Sequence, residues 1–211
     1  MDNNTYIEQC MAHDQRIKIS RKNLQSRRDQ LVEEICSAFK NVTRKGGVSL
    51  AEVELLDAGA SVNQCKRIRA GQRDKHWSQV DLRRHDPYGS GLCFLDPIGF
   101  CYHLPAYLID RLTIGNHLVD DCRHDDWMGQ DTVVYRLQDT SSSGRKQYNL
   151  LNTPQRECVA RFFAFEVELL NCLETDGRYD DIYTALKSYW IEYLHAIDKG
   201  RLESIWPGLF D

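Results

Sequence analysis

The sequence predicts an α+β fold that is mostly helical, with its helices packed around a small antiparallel β-sheet built on a central hairpin. Residues 92–112 carry this prediction, because apolar and aromatic residues flank a turn sequence, Asp-Pro-Ile-Gly, at residues 96–99. Leu104 and Pro105 are expected to end the second strand and begin a helix. On both sides of this unit, apolar residues recur at helical spacing, which predicts the helices that surround the sheet.

Two helices are predicted before the hairpin. Between residues 26 and 42, three large apolar residues recur every four positions, which is the spacing of one helix face. Ser49 stands three residues before Glu52, and this capping box predicts a short helix over residues 50–58.

A second hairpin is predicted after the central one. Residues 132–137 are rich in β-branched and aromatic side chains, which favours a strand. Residues 139–144 are small and polar, as in a flexible tip. Residues 147–151 then supply a candidate return strand.

The C-terminal third is predicted to be helical. Thr153 is expected to cap a helix that has Pro154 at its first position and stops near Asp176. A last long helix is expected to end at Gly200. The apolar tail, residues 205–210, is expected to dock on the body of the protein, because a free aromatic tail promotes aggregation.

The chain is expected to form a single domain, residues 1–211. No linker is long enough to divide it, and 211 residues suffice to build a substantial core. Within it we distinguish an N-terminal arm or helix (1–25), a core (26–175), and a C-terminal helix with its tail (176–211).

Composition restricts the classes of function. The formal net charge of −4 argues against bulk electrostatic binding to nucleic acid or to an anionic membrane. Eight cysteines occur without a C-x-x-C pair and without an apolar leader, so we expect reduced thiols in a cytoplasmic protein. An apolar run of the roughly 18 residues needed for a membrane span is absent from the sequence.

The sequence carries no recognised catalytic or phosphate-binding motif. The densest set of metal-ligating residue types is His117, Cys122, His124, Asp125 and Asp126. Its irregular spacing differs from the paired ligands of structural zinc sites, and an exposed acidic loop explains it better. We therefore expect neither a metal nor another cofactor.

Two alternatives remain open from the sequence. One is an enzyme of an unrecognised class that uses His103, His117 or His124. The other is a nucleic-acid binder that uses residues 66–84, where basic residues outnumber acidic ones. Trp77 is the only large aromatic residue in that segment, whereas proteins that bind single strands interleave aromatic and basic residues. This difference favours a solvated helix-and-loop segment in which Trp77 lies in the core.

The sequence resembles a family of small uncharacterised bacterial proteins. The resemblance rests on Trp77, on the pattern Phe-Leu-Asp-Pro-x-Gly-Phe-x-Tyr-x-Leu-Pro-Ala-Tyr at residues 94–107, and on Gln-Arg-x-x-Val-x-x-Phe at residues 155–162. It spans residues 30–175. The resemblance implies a bacterial cytosolic protein and implies no reaction.

Acidic residues form two groups, one in residues 117–131 and one around residues 174–181. Acidic surfaces suit a basic protein partner. The first hypothesis is therefore a non-catalytic protein-binding protein, and specifically an immunity protein that neutralises a bacterial toxin by covering its active site with an acidic surface. The predicted contact residues are Asp120, Asp121, Asp125, Asp126, Asp180 and Asp181.

Overall fold

The computed structural model describes residues 3–71, 76–86, 90–114, 131–172 and 179–210, with the backbone alone for residues 3–19. Short 3₁₀ segments lie at Trp77–Gln79, Ser90–Phe94 and Trp190–Tyr193. The α-helices of the described residues are α1 (Asn3–Ala38), α2 (Leu50–Asp57), α3 (Val62–Gly71), α4 (Leu82–His85), α5 (Pro97–Ile114), α6 (Asp131–Leu137), α7 (Ser142–Tyr148), α8 (Thr153–Cys172), α9 (Tyr179–Ser188) and α10 (Ala196–Ile205).

The predicted α+β class is wrong, because the described ranges contain helices and no β-strand. The predicted central hairpin is a 3₁₀ turn followed by α5. The predicted strand at residues 132–137 is α6, and the expected tip and return strand at residues 139–151 contain α7. Each of these apolar runs is short, and a short run fits one face of a helix as well as it fits a strand.

The turn sequence at residues 96–99 is a helix start. Asp96 Oδ1 accepts hydrogen bonds from the backbone N–H groups of Gly99 and Val48, both at 2.8 Å. Pro97 occupies the first helical position, where a missing backbone N–H costs nothing. Pro105 lies inside α5 instead of ending a strand.

Gly99 allows the loop before α2 to approach α5 closely. A Cβ atom at this position would lie 2.4 Å from the Val48 carbonyl oxygen, which belongs to the backbone.

We expect Gly99→Ala to lower the free energy of unfolding by about 1–3 kcal/mol, because the loop must move away. Gly200→Ala is the control: a Cβ atom there has no neighbour within 4 Å, and alanine favours the helix by roughly 0.5–1 kcal/mol. Urea denaturation of both variants measures the difference, and equal stabilities would contradict the close approach.

The core is centred on α8, which contacts α1, α9, α10 and the 190–193 segment. Phe162, Phe163 and Trp190 are fully buried there. The Trp190 indole N–H donates to the Leu137 carbonyl at 2.8 Å, so its polar atom is satisfied inside the core. This arrangement holds α6 and α9 next to each other.

The C-terminal helices differ in detail from the prediction. Asn152, and not Thr153, caps α8, and it exchanges two hydrogen bonds of 3.0 Å with Gln155. The predicted last helix is two helices, α9 and α10, and Gly200 lies inside α10. The tail does dock, since Leu209 is 1% exposed.

Candidate functional site

The predicted acidic contact residues fall into two sets. Asp180 and Asp181 are exposed in the first turn of α9, where negative charge also favours the helix dipole. The other predicted residues lie outside the described part of the chain, as do two of the candidate histidines: Asp120, Asp121, Asp125, Asp126, His117 and His124.

Asp181 lies at a cleft between α6 and α9, which we call the α6–α9 cleft. It has a volume of about 340 Å³. Tyr135 of α6 is 64% exposed at the same cleft, which places a large aromatic ring beside a carboxylate. The remaining lining residues among those described are Arg111, Thr132, Val134, Leu170 and Ile182.

The one cationic side chain among these lining residues is already paired. The Arg111 guanidinium lies 2.7 Å from a Glu166 carboxylate oxygen through Nη2 and 3.3 Å from the other through Nε. Both side chains are almost fully buried, at 4% and 2% exposure. A compensated Arg111 leaves Asp181 as the unbalanced charge among the described lining residues.

A second cavity, of about 210 Å³, lies between α1, α8 and α10 and has a different character. Its arginines are paired with carboxylates. The buried Asp198 pairs with two of them: its Oδ1 lies 2.5 Å from Arg201 Nη2, and its Oδ2 lies 3.5 Å from Arg161 Nε. Arg27 pairs with Glu168. We interpret this network as a structural link between α10 and the other two helices.

His103, a candidate catalytic residue, lies on α5 and is completely buried. Its pKa is lowered to about 3, chiefly by burial and also by the nearby positive charge of Arg44 and by His85. Neither ring nitrogen has a hydrogen-bond partner among the residues that the structure describes. An imidazole with this pKa is a poor general base near pH 7, which disfavours the predicted catalytic role.

A carboxylate, a phenol and a thiol lie near one another beside α5. The Tyr107 hydroxyl donates to Asp86 Oδ2, which also accepts the Gly91 N–H at 2.8 Å. Burial raises the pKa of Tyr107 and that of the nearby Cys93 thiol, and the Asp86 charge acts in the same direction on both. The thiol is therefore held in its protonated form, which is unreactive as a nucleophile.

The basic segment at residues 66–84 is partly used within the fold. Arg69 Nε lies 2.9 Å from both carboxylate oxygens of the buried Glu52. The predicted Ser49–Glu52 capping box is confirmed by a 2.8 Å bond from the Ser49 backbone N–H. The prediction for Trp77 is also confirmed: the side chain is buried, and its indole N–H donates to a backbone carbonyl at 2.9 Å. Lys66, Arg67, Arg83 and Arg84 are exposed.

A model of a family of unknown function, DUF6714, matches residues 27–194. The chain belongs to this family. The prediction that the chain belongs to an uncharacterised family is therefore confirmed. The DUF6714 match includes α5, α6, α8 and α9, and therefore every described residue of the α6–α9 cleft. Searches of curated proteins and of solved structures gave no significant match.

Two further searches concern only the described residues of this DUF6714 protein. None of its helices there combines the length and the apolar character that crossing a bilayer requires. The same residues contain no group of three or more histidine, cysteine, aspartate or glutamate side chains arranged to hold a metal ion.

The sequence reasoning missed three residues of the cleft region: Tyr135, Arg111 and Glu166. Tyr135 was assigned to a strand, so its helical face was not considered. The sequence did contain an indication that Arg111 and Glu166 are buried charges, because each of them interrupts the apolar stripe of a helix.

Proposed function

We propose that this protein binds a basic protein through the surface around Tyr135, Asp180 and Asp181, without catalysing a reaction. The observation that carries the proposal is the exposed ring of Tyr135 at a cleft whose uncompensated charge, among the described lining residues, is the Asp181 carboxylate. Tyrosine is enriched among the residues that dominate protein interfaces. Acidic groups around such an anchor select and attract a basic partner.

The proposed partner is a bacterial toxin whose active site this acidic surface covers, so that the protein acts as an immunity protein in the cytoplasm. The sequence supports this with four more aspartates among residues 120–126, which follow α5 and precede α6 along the chain. Cationic toxin surfaces that bind nucleic acid or nucleotide substrates would be complementary to it.

The proposal predicts a specific partner that depends on this surface. Wild-type protein and the Tyr135→Ala/Asp180→Asn/Asp181→Asn variant serve as baits in extracts of the native host. We expect the wild type to retain a basic protein encoded by a neighbouring gene and the variant to lose about 2 kcal/mol or more of binding free energy. Co-expression with the wild type, and not with the variant, is expected to relieve the toxicity of that protein.

The matched control removes two exposed carboxylates elsewhere, in Glu33→Gln/Glu192→Gln. It is expected to bind as the wild type does. The surface assignment fails if both variants weaken binding equally. The immunity function fails if the retained protein is harmless when expressed alone or if no basic protein is retained.

A further inference from the structure

The α6–α9 cleft combines the chemistry that recognises one particular side chain. Val134, Leu170 and Ile182 supply apolar lining, while Asp181, Tyr135 and Thr132 supply a carboxylate, an aromatic ring and a hydroxyl. An apolar lining that also includes a carboxylate fits a long side chain that ends in a positive charge. A volume of about 340 Å³ is at the lower end of the range for ligand sites, roughly 300–1,000 Å³, and suits one side chain better than a large ligand.

We propose that the α6–α9 cleft binds an arginine side chain of the partner, an inference that rests on the proposed function. The aliphatic part of the arginine packs on Val134 and Ile182, its guanidinium pairs with Asp181, and the Tyr135 ring covers its planar face. Arginine suits this site better than lysine, because a planar guanidinium both stacks on an aromatic ring and forms two parallel bonds to a carboxylate.

Arg111 does not exclude a cationic occupant. Its guanidinium is bound at 2.7 Å and 3.3 Å to Glu166, and this ion pair is almost entirely buried. The pair is neutral as a unit, so its field at the cleft is that of a dipole and falls off faster than that of a charge. The nearby Asp180 adds negative charge on the exposed side of α9.

The test uses n-propylguanidinium, which reproduces the end of an arginine side chain, added to the full-length protein. Nuclear magnetic resonance spectra of the methyl groups report binding. We expect saturable shifts at Val134, Leu170 and Ile182, with a Kd on the order of millimolar. Asp181→Asn is expected to weaken binding roughly fivefold, as is Tyr135→Ala, while Glu192→Gln leaves it unchanged.

Two matched small molecules separate this proposal from other occupants. Propylurea has nearly the same shape without the charge and is expected to bind roughly fivefold or more weakly. Acetate tests whether Arg111 attracts an anion instead. The proposal is overturned if propylurea binds as well, if acetate produces the same shifts, or if Asp181→Asn has no effect.

The outcomes also separate this proposal from the proposed function. If a basic partner binds through Tyr135, Asp180 and Asp181 while n-propylguanidinium does not enter the cleft, the arginine assignment is wrong and the protein-binding function stands. If n-propylguanidinium enters the cleft and no basic partner is retained from extracts, the proposed function is wrong.

Discussion

Replacing Glu166 with leucine is expected to lower the free energy of unfolding by about 3–5 kcal/mol. The substitution leaves the Arg111 guanidinium, only 4% exposed, without the carboxylate that compensates its charge. A buried charge that loses a carboxylate partner is costly because the interior solvates it poorly. Urea denaturation followed by tryptophan fluorescence measures this loss, since the chain contains four tryptophans.

The reciprocal variant, Arg111→Met, is expected to be destabilised to a similar extent, because it leaves Glu166 unpaired at 2% exposure. The double variant Arg111→Met/Glu166→Leu removes both charges and replaces them with apolar side chains. Its stability is expected to return to within about 1 kcal/mol of the wild type or to exceed it. This pattern, in which two harmful changes compensate each other, is specific to a buried ion pair.

Asp29→Asn provides the control for removing a charge from a pair. Asp29 lies 2.8 Å from Arg28, but its side chain is 65% exposed. An exposed pair contributes roughly 0–1 kcal/mol, so this variant should be close to the wild type. A double variant at positions 111 and 166 that is as unstable as the single variants would contradict this account and would indicate another role for one of the two residues.

The sequence predicted α8 and the C-terminal part of α1 well and the central unit poorly, for a physical reason. The apolar stripe that predicted a helix over residues 26–42 extends over several turns, which only a helix satisfies, and residues 26–38 of it lie in α1. Residues 94–102 form a much shorter apolar run, and Asp-Pro is favoured both in turns and at helix starts. In the structure Asp96 accepts the Gly99 N–H at the start of α5 and also the Val48 N–H, and the second bond joins distant parts of the chain that no local pattern contains.

In the candidate site, too, some features could be predicted from the sequence and others depend on how the helices pack. The acidic character of Asp180 and Asp181 was visible in the sequence, and their exposure agrees with it. The position of Tyr135 at the cleft was not, because it depends on α6 being a helix next to α9. Arg111 and Glu166 stand 55 residues apart, so their pairing depends on the relative positions of α5 and α8 and not on either helix alone.

Acidification is expected to destabilise the wild-type protein through His103. In the unfolded chain this histidine has a pKa near 6.5, whereas burial lowers the pKa to about 3 in the folded protein. Between these values the unfolded state binds a proton that the folded state does not. Stability is therefore retained above pH 6.5 and is lost as the pH falls from 6.5 towards 3, by about 1.4 kcal/mol per pH unit and on the order of 4–5 kcal/mol in all.

His103→Leu removes this proton linkage and tests it directly. Above pH 6.5 the variant is expected to be about as stable as the wild type or more stable, since it also removes two buried ring nitrogens that have no hydrogen-bond partner in the described part of the chain. Below pH 6 its stability should fall less steeply, because only the other titrating groups contribute. His195→Gln is the control, since it replaces a histidine whose side chain is 52% exposed. Urea midpoints at pH 7, 6, 5 and 4 measure all three proteins, and parallel pH profiles for wild type and His103→Leu would show that His103 takes up a proton in the folded state as readily as in the unfolded state.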